Sequence, residues 1–358
     1  MWKRSLLPAD RGTADDDTTI LSTGVAAVTS GLTEITVIGE DDTGLIARIT
    51  SLLFDRGINI EDLDQAVHEG VFRMTMHVDA SDMDGTREEL RADLGELGDD
   101  LDLDVQVRFP GDRDTRNIAV MVTKESHCLE RLLAAHESGA IGAEISAVIG
   151  NHDYLFPLAE DHGIPFYDIG DDAGQPDEDW LLDILADHDI DLIVLARYMR
   201  ILSPDVVFRY ENRIINVHPS LLPSFPGAQA YRQAVEKGVR VAGVTAHYVT
   251  TDLDQGPIIT QRAFSVPETV YDGDPAEDMG AAVASLERRG QPLEAEVLLE
   301  AIRMHLNDDV VVRRGRSHLR NGAEGYQLGL PGSVASELPD EPVDSYSRHS
   351  ARQASEQK

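Results

Sequence analysis

Residues 214–259 read IINVHPSLLPSFPGAQAYRQAVEKGVRVAGVTAHYVTTDLDQGPII, and they hold the clearest evidence for the fold. The stretch opens with a short apolar strand that ends in two polar side chains, Asn216 and His218. Side chains two positions apart on a strand point the same way. Ligands of open α/β sheets bind at the carboxyl ends of the strands. The stretch therefore predicts a buried strand that carries an amide and an imidazole into a binding cleft.

The segments around this stretch alternate between apolar strands and helices of 10–12 residues. Strands that are apolar on both faces and separated by helices indicate a mostly parallel, Rossmann-like sheet with both faces covered. The residues 241–250 and 257–266 add two further strands, and 293–306 form an amphipathic C-terminal helix. The predicted central strands are NIAVMVT (117–123), AEISAVIG (143–150), PFYDIG (165–170) and IDLIVLARYM (190–199).

The N-terminal half has a different pattern, with two helices inserted among four alternating strands in the order βαββαβ. A helix ending at Gly57 follows the first strand, and Glu69-Gly70 is a hairpin signal. This order is typical of a ferredoxin-like domain. We therefore predict an α/β chain of two domains, a ferredoxin-like one at 32–109 and a catalytic one at 117–320. A flexible leader (1–31), a polar linker (110–116) and a disordered acidic tail (321–358) complete the division.

The charge of the chain excludes some classes of partner. The chain holds 65 acidic and 31 basic residues, a formal net charge of −34, and only four of its cations are lysines. Such a field repels nucleic-acid phosphates and anionic membrane surfaces. Acidic surfaces with arginine in place of lysine are typical of proteins that stay soluble in high salt, although an ordinary acidic mesophilic enzyme is the alternative. The single cysteine, Cys128, and the lack of a signal peptide or an 18-residue apolar run indicate a reducing cytoplasm.

Three polar residues of the quoted stretch suit acyl-transfer chemistry. An amide (Asn216) can hold a developing oxyanion, an imidazole (His218) can give or stabilise a proton, and a carboxylate (Asp254) can orient the imidazole or activate a nucleophile. Each of the three taken alone has a plain structural explanation as a cap or a packed core residue. Their combination favours a catalytic site.

The motifs NVHPSLLP (216–223) and DQGPI (254–258), with LARYMRIL (195–202) upstream, resemble enzymes of the formyltransferase fold that use 10-formyltetrahydrofolate. Within that group the segment TKESHCL (123–129) replaces the glycine-rich phosphate loop of glycinamide ribonucleotide transformylases. The acidic tail contradicts the basic RNA-binding domain of methionyl-tRNA formyltransferases. The chain is most similar to formyltetrahydrofolate deformylases, which carry an N-terminal ACT domain, over residues 32–320. His218-Pro219 departs from their pattern towards the transformylases, and 262–292 is longer than in the family.

The resemblance implies hydrolysis of 10-formyltetrahydrofolate to tetrahydrofolate and formate. The formate would supply purine synthesis, and the reaction would balance the one-carbon folate pool. Phosphoribosylglycinamide formyltransferase activity and a non-catalytic folate sensor are the alternatives. The resemblance assigns Asn216 to the oxyanion, protonated His218 to charge stabilisation, and Asp254 to water activation. Eight further residues are implied to bind the folate: Met199, Arg200, Ile201, Leu202, Ser220, Gly227, His247 and Gly256.

For the N-terminal domain the resemblance implies side-by-side pairing into a homo-oligomer and an amino-acid effector, glycine or methionine. The effector would contact Asp42, Gly44 and Asn59, and a purely oligomerising domain is the alternative. No cofactor is expected, because the folate is the substrate. No metal is expected either, because the histidines lie in separate loops without ligand spacing. His127 either lies near the water or lines the empty phosphate site, and capping of the following helix is the alternative. Cys128 is expected to be a buried small hydrophobe.

Overall fold

A four-stranded antiparallel sheet forms the N-terminal domain of the computed structural model, which describes residues 32–68, 70–109, 115–271, 278–313 and 315–319. The strands stand in the order β2-β3-β1-β4. In sequence, one helix follows the first strand and the other follows the third. The predicted ferredoxin-like arrangement is thereby confirmed. The elements are β1 (Thr33–Glu40), α1 (Leu45–Asp55), β2 (Asn59–His68), β3 (Val71–Asp79), α2 (Arg87–Leu101) and β4 (Leu103–Arg108).

Local sequence explains how these elements begin and turn. Thr86 caps α2 through a capping box, since its side chain accepts from the Glu89 N–H while the Glu89 carboxylate accepts from the Thr86 N–H. Gly70 has a φ of 88° between β2 and β3, a conformation that glycine adopts without a steric penalty. Apolar side chains from β1, β3 and α1 meet beneath the sheet, among them Phe72, Met74 and Ile49. The domain therefore has a core of its own.

A seven-stranded sheet forms the second domain, in the order β11-β10-β9-β8-β5-β6-β7. Strands β5 to β9 run parallel, and β10 and β11 are antiparallel to their neighbours. The predicted mostly parallel α/β sheet is confirmed. Its strands are β5 (Asn117–Val122), β6 (Glu144–Gly150), β7 (Phe166–Asp168), β8 (Leu192–Leu195), β9 (Ile214–His218), β10 (Val241–Tyr248) and β11 (Ile258–Ser265).

Helices cover both faces of this sheet, which explains the apolar character of its strands. In β5, Val120 packs into a core with α3 and α8, whereas Met121 packs into another with α5 and α6. Because the central strands are parallel, the residues after β5, β8 and β9 lie at one edge. The helices are α3 (His127–Glu137), α4 (Phe156–Asp161), α5 (Glu178–Asp187), α6 (Pro204–Arg209), α7 (Ala230–Glu236) and α8 (Met279–Leu306), and a hairpin follows of β12 (Val310–Arg313) and β13 (Arg316–Leu319).

The structure corrects the sequence prediction at the C-terminal helix. α8 begins at Met279, fourteen residues before the predicted start at 293, and contains Gly290 and Pro292. Both residues disfavour a helix interior, so the sequence pattern placed the start of the helix after them. The leader 1–31, the tail from 321 onwards and residues 110–114 of the linker lie outside the described residues. Among the described helices, none is both long and apolar enough to cross a membrane.

Ion pairs join the N-terminal sheet to the segment that precedes β9. Arg73 of β3 pairs with Glu211, and Arg209 of α6 pairs with Asp104 of β4. The Arg73 side chain is buried, and its guanidinium carbon lies 5.7 Å from the centre of the Phe208 ring. Burial lowers the pKa of Arg73 below its ordinary value, although the charge of Asp64 opposes this. The N-terminal domain therefore packs directly against the segment that leads into β9.

A histidine at the end of α8 is expected to make the stability of the folded chain depend on pH. His305 Nδ1 lies 2.9 Å from the Tyr248 hydroxyl. Burial, reinforced by the charge of Arg116, lowers the pKa of His305 to about 4. Because the unfolded chain binds this proton more tightly, we expect the folded state to lose up to about 3 kcal/mol as pH falls from about 6.5 to about 4. Urea titrations of the unaltered chain and of His305→Gln measure this difference, and parallel pH dependences of the two would contradict it.

Candidate active site

The three predicted catalytic residues meet at the carboxyl edge of the second sheet. Asn216 and His218 lie at the end of β9, and Asp254 lies in the loop between β10 and β11. The Asp254 carboxylate approaches the His218 ring, with 3.4 Å between Oδ2 and Nδ1. His218 and Asp254 have side chains only 7% and 6% exposed, so their charges are partly shielded from water. Asn216 is half-buried, and its Nδ2 lies 3.2 Å from His247 Nε2, which is 3.7 Å from Asp254 Oδ1.

The two ring nitrogens of His218 both face acceptors. Nε2 lies 2.9 Å from the backbone carbonyl of Phe225, and Nδ1 faces the Asp254 carboxylate. A carbonyl oxygen only accepts, so Nε2 must carry a hydrogen. Both ring nitrogens are thus directed at oxygen atoms, which holds the His218 ring in one orientation.

A second histidine, His247 on β10, orients the Asn216 amide. His247 stands opposite Asn216 in the antiparallel pairing of the two strands. Its Nδ1 lies 2.8 Å from the Tyr248 carbonyl and must therefore donate. Burial lowers the pKa of His247, so its Nε2 is free of hydrogen and accepts from Asn216 Nδ2, 3.2 Å away. This contact uses one N–H of the amide and leaves the other for a ligand.

The backbone holds Asp254 in a strained position. Asp254 has a φ of 54°, in the left-handed region that non-glycine residues rarely adopt. The Gly227 N–H donates to its Oδ2 at 2.6 Å. Gly256 lets the loop approach β10 closely, since a Cβ there would lie 1.8 Å from the Tyr248 carbonyl oxygen. Gly227 and Gly256 thus help to place the carboxylate, and their contact with the substrate stays a prediction.

The loop after β9 is fastened to β10 through Thr245. The Thr245 hydroxyl donates to the Ser220 carbonyl at 2.7 Å and accepts from the Leu222 N–H at 3.0 Å. Ser220 is buried, and its own hydroxyl donates to the Ser224 carbonyl. Ser220 therefore stabilises this turn, and its contact with the substrate stays a prediction.

The predicted folate-binding segment forms a loop rather than the end of a strand. β8 ends at Leu195, four residues before its predicted end, because Arg197 has a φ of 62° and cannot continue the strand. Met199 and Ile201 are 54% and 74% exposed, whereas Leu202 is buried and Arg200 is half-buried. Arg200 donates from Nη2 to the Ala173 carbonyl at 2.6 Å. The loop presents two apolar side chains beside the active site.

The three predicted effector residues do not share one site within a single chain. Gly44 precedes α1, and Asn59 follows its other end. An eleven-residue helix is about 16 Å long. Asp42 stays near Gly44, where it accepts from the Thr43 N–H at 2.6 Å. Any contact of one ligand with all three would therefore need more than one chain.

A buried cluster beside the active site was not predicted from the sequence. Within the described part of the chain, His127, Cys128 and Glu294 have possible metal-ligand atoms within 4.8 Å of one another. The Arg197 guanidinium lies 3.4 Å from Glu294 Oε2, and a metal ion there would be repelled by that charge. Burial and the charge of Glu294 raise the pKa of Cys128 well above its ordinary value, so the thiol stays neutral. These residues suit an ion-pair network better than a metal centre.

His127 illustrates why the cluster escaped prediction. It is the first residue of α3 and hydrogen-bonds Glu294 through Nε2 at 3.2 Å, a partner 167 positions away. Glu294 itself reads as an ordinary polar position of an amphipathic helix. Gly290 and Pro292 were the available signals, because such residues inside a helix usually have a packing reason.

Comparison with known proteins identifies both domains. A family model described as formyl transferase matches residues 116–295, and one described as ACT domain matches residues 34–108. A formyltetrahydrofolate deformylase of Bacillus subtilis is 35% identical over 286 residues, covering 78% of this chain and 91% of that protein. One of Escherichia coli K12 is 39% identical over 281 residues, covering 77% and 94%.

Solved structures give the same picture. A formyltetrahydrofolate deformylase from Pseudomonas syringae superposes with a TM-score of 0.53 at 29% identity, covering 80% of this chain and 94% of that one. A glycinamide ribonucleotide transformylase from Symbiobacterium toebii has a TM-score of 0.52 at 33% identity but covers only 60% of this chain. The deformylase match thus covers a larger share of this chain than the transformylase match. The chain belongs to the formyltetrahydrofolate deformylase family, with an ACT domain followed by a formyl transferase domain.

Proposed function

We infer that this chain hydrolyses 10-formyltetrahydrofolate to tetrahydrofolate and formate. The observation that carries the inference is the convergence of Asn216, His218 and Asp254 at one sheet edge, in a chain 35–39% identical to proteins named formyltetrahydrofolate deformylase. The reaction would release formate for purine synthesis and return tetrahydrofolate to the one-carbon pool.

Asn216 and His218 would stabilise the charge that forms on the formyl oxygen. His247 fixes the Asn216 amide through one N–H, and the other N–H would donate to the oxyanion. His218, protonated between Phe225 and Asp254, would add a positive charge close to the same oxygen. Both groups are positioned before the substrate arrives, which is what gives such donors their catalytic effect.

Asp254 would activate the water. Its carboxylate already accepts from Gly227, and it would take a proton from a water that adds to the formyl carbon. The bond between that carbon and the folate nitrogen then breaks, the proton passes to the nitrogen, and formate leaves. His218 would be held in orientation by the same carboxylate.

The folate ring would lie against four consecutive residues, Met199, Arg200, Ile201 and Leu202. The two exposed apolar side chains support this placement, because large apolar groups at a cleft are a usual feature of ligand sites. Ser220, Gly227, His247 and Gly256 line or support the same edge.

Formate release tests the proposed reaction and separates it from the alternatives. Purified chain would be given 10-formyltetrahydrofolate in molar salt, with and without glycinamide ribonucleotide, while formate and tetrahydrofolate are measured. Formate without the nucleotide is the expected result. Tetrahydrofolate appearing only with the nucleotide would show a transformylase, and no product in either case would favour a non-catalytic sensor.

The ACT domain would pair with that of a second chain and respond to an amino acid such as glycine or methionine. β2 is an edge strand of the sheet, and Leu63 and Val67 on it are 39% and 46% exposed. Unpaired edge strands are surfaces to which another chain can add. The turn at Gly44 leads into α1, whose first amides have no side-chain cap and would suit a ligand carboxylate.

The charge of −34 supports a salt-rich setting, and the single buried cysteine supports a reducing cytoplasm. Acidic side chains repel one another in dilute buffer, and salt screens that repulsion. A formate assay repeated from dilute buffer to molar salt is therefore expected to show activity persisting at molar salt.

A further inference from the structure

Glu294 is a fully buried carboxylate with three polar partners. Its Oε1 accepts from the Tyr231 hydroxyl at 2.5 Å, and its Oε2 lies 3.2 Å from His127 Nε2 and 3.4 Å from Arg197 Nε. Burial would raise the pKa of Glu294, but the His127 hydrogen bond and the Arg197 charge outweigh this and lower it. Glu294 is therefore ionised, and a buried ion needs such partners.

The helix is shaped to allow one of these contacts. A Cβ at Gly290 would lie 1.7 Å from the Tyr231 hydroxyl oxygen, so Tyr231 occupies the space that any other residue would fill. Glycine inside a helix is unfavourable relative to alanine. Its presence one turn before Glu294 is explained by the path of Tyr231 to the carboxylate.

Arg197 connects the cluster to the folate-binding loop. Glu125 accepts from Arg197 Nε and Nη2, each at 3.0 Å, while Glu294 lies on the same guanidinium. The Arg197 backbone has a positive φ of 62°, which persists only where the surroundings hold it. Two carboxylates, one of them fully buried, hold this side chain where the chain leaves β8.

Side chains accept hydrogen bonds from two backbone N–H groups after Arg197. The Met199 N–H donates to the Thr123 hydroxyl at 2.9 Å, and the Ser203 N–H donates to Glu178 at 2.9 Å. Ile201 stays 74% exposed although the backbone on both sides of it is fixed. The loop is thus a rigid support for exposed apolar side chains, as a preorganised binding surface requires.

We propose that Glu294 is a positioning residue that, through Arg197, fixes the loop 197–202 in the conformation that binds the folate. The inference rests on the proposed function for the identity of the ligand. Glu294 would not touch the substrate, and its effect would be on folate affinity rather than on the chemical step.

Kinetics of Glu294→Gln test this role. The amide keeps the size of the side chain but removes the charge that holds Arg197. We expect KM for 10-formyltetrahydrofolate to rise about tenfold while kcat changes less than threefold. Calorimetry with tetrahydrofolate should show a similar loss of affinity. Arg197→Met should raise KM at least as much, since it also removes the pair with Glu125, and the double variant should be no worse than Arg197→Met alone.

Glu296→Gln is the matched control. Glu296 lies two residues after Glu294 on the same helix. It also pairs with an arginine, Arg131, but this pair is half-exposed to solvent. Its KM and kcat should stay within twofold of the unaltered enzyme. If Glu294→Gln fails to fold, Tyr231→Phe removes a single hydroxyl from the same carboxylate and should raise KM by about threefold.

A KM for Glu294→Gln within twofold of the unaltered value would overturn the proposal. A fall in kcat above 100-fold with KM unchanged would also overturn it, because Glu294 would then act in the chemistry. If the unaltered chain releases no formate, the proposed function fails. Tetrahydrofolate binding by the unaltered chain and by Glu294→Gln would still decide whether Glu294 positions the loop.

Discussion

Replacing Asp254 by asparagine is expected to lower kcat for formate release by ~10²–10⁴-fold and to leave folate binding unchanged. The amide oxygen of asparagine can still accept from the Gly227 N–H, so the loop and its positive φ persist. The amide cannot take a proton from water at neutral pH. It also removes the negative charge that faces His218 Nδ1. Steady-state formate release and tetrahydrofolate calorimetry measure the two effects separately.

Asp252→Asn is the control for this change. Asp252 lies two residues earlier in the same loop, its side chain is exposed, and the loop uses its backbone carbonyl. Activity of Asp252→Asn should stay close to that of the unaltered enzyme. Full turnover by Asp254→Asn with normal folate affinity would show that Asp254 is not the base.

Replacing Asn216 by alanine is expected to lower kcat by ~10²–10³-fold, because the substrate oxyanion loses a fixed donor. KM should change little, since the interaction strengthens only as charge develops. The His247 ring also loses its donor, but this ring is already held by the Tyr248 carbonyl. Single-turnover kinetics at saturating folate isolate the chemical step.

Asn216→Asp distinguishes a donor from a mere space filler. Aspartate has the same shape but no N–H when ionised, and its charge would repel the oxyanion. We expect it to be at least as impaired as Asn216→Ala. An active Asn216→Asp would contradict the assignment of Asn216 as the oxyanion donor.

The local patterns of this chain were sufficient to predict its two larger sheets, but not the hairpin of β12 and β13. Apolar residues on both faces, as in 117–122, indicated a strand buried between two helix layers. In β9, the period-two alternation indicated a strand with a polar end. The helix α8 was predicted too short because Gly290 and Pro292 carry local signals that tertiary packing overrides.

The proximity of Asn216, His218 and Asp254 could be predicted because Asn216 and His218 share one strand end and Asp254 lies in a motif with glycine and proline. The orientation of Asn216 by His247 could not be predicted from the sequence, because it depends on the register of β9 against β10. The Glu294 cluster was still less accessible, since it joins the loop after β5, the loop after β8, α7 and α8.

The arginine pairs between the N-terminal sheet and α6 restrict how the sequence of this chain can change. Arg73 with Glu211 and Arg209 with Asp104 are charges of opposite sign on different domains. A substitution at one member leaves the other beside an unmatched charge, so the members of each pair are expected to change together among relatives. An ACT domain taken from another enzyme would fit here only if it supplied these charges. Exchange of the N-terminal domain is therefore expected to need matched changes at these positions.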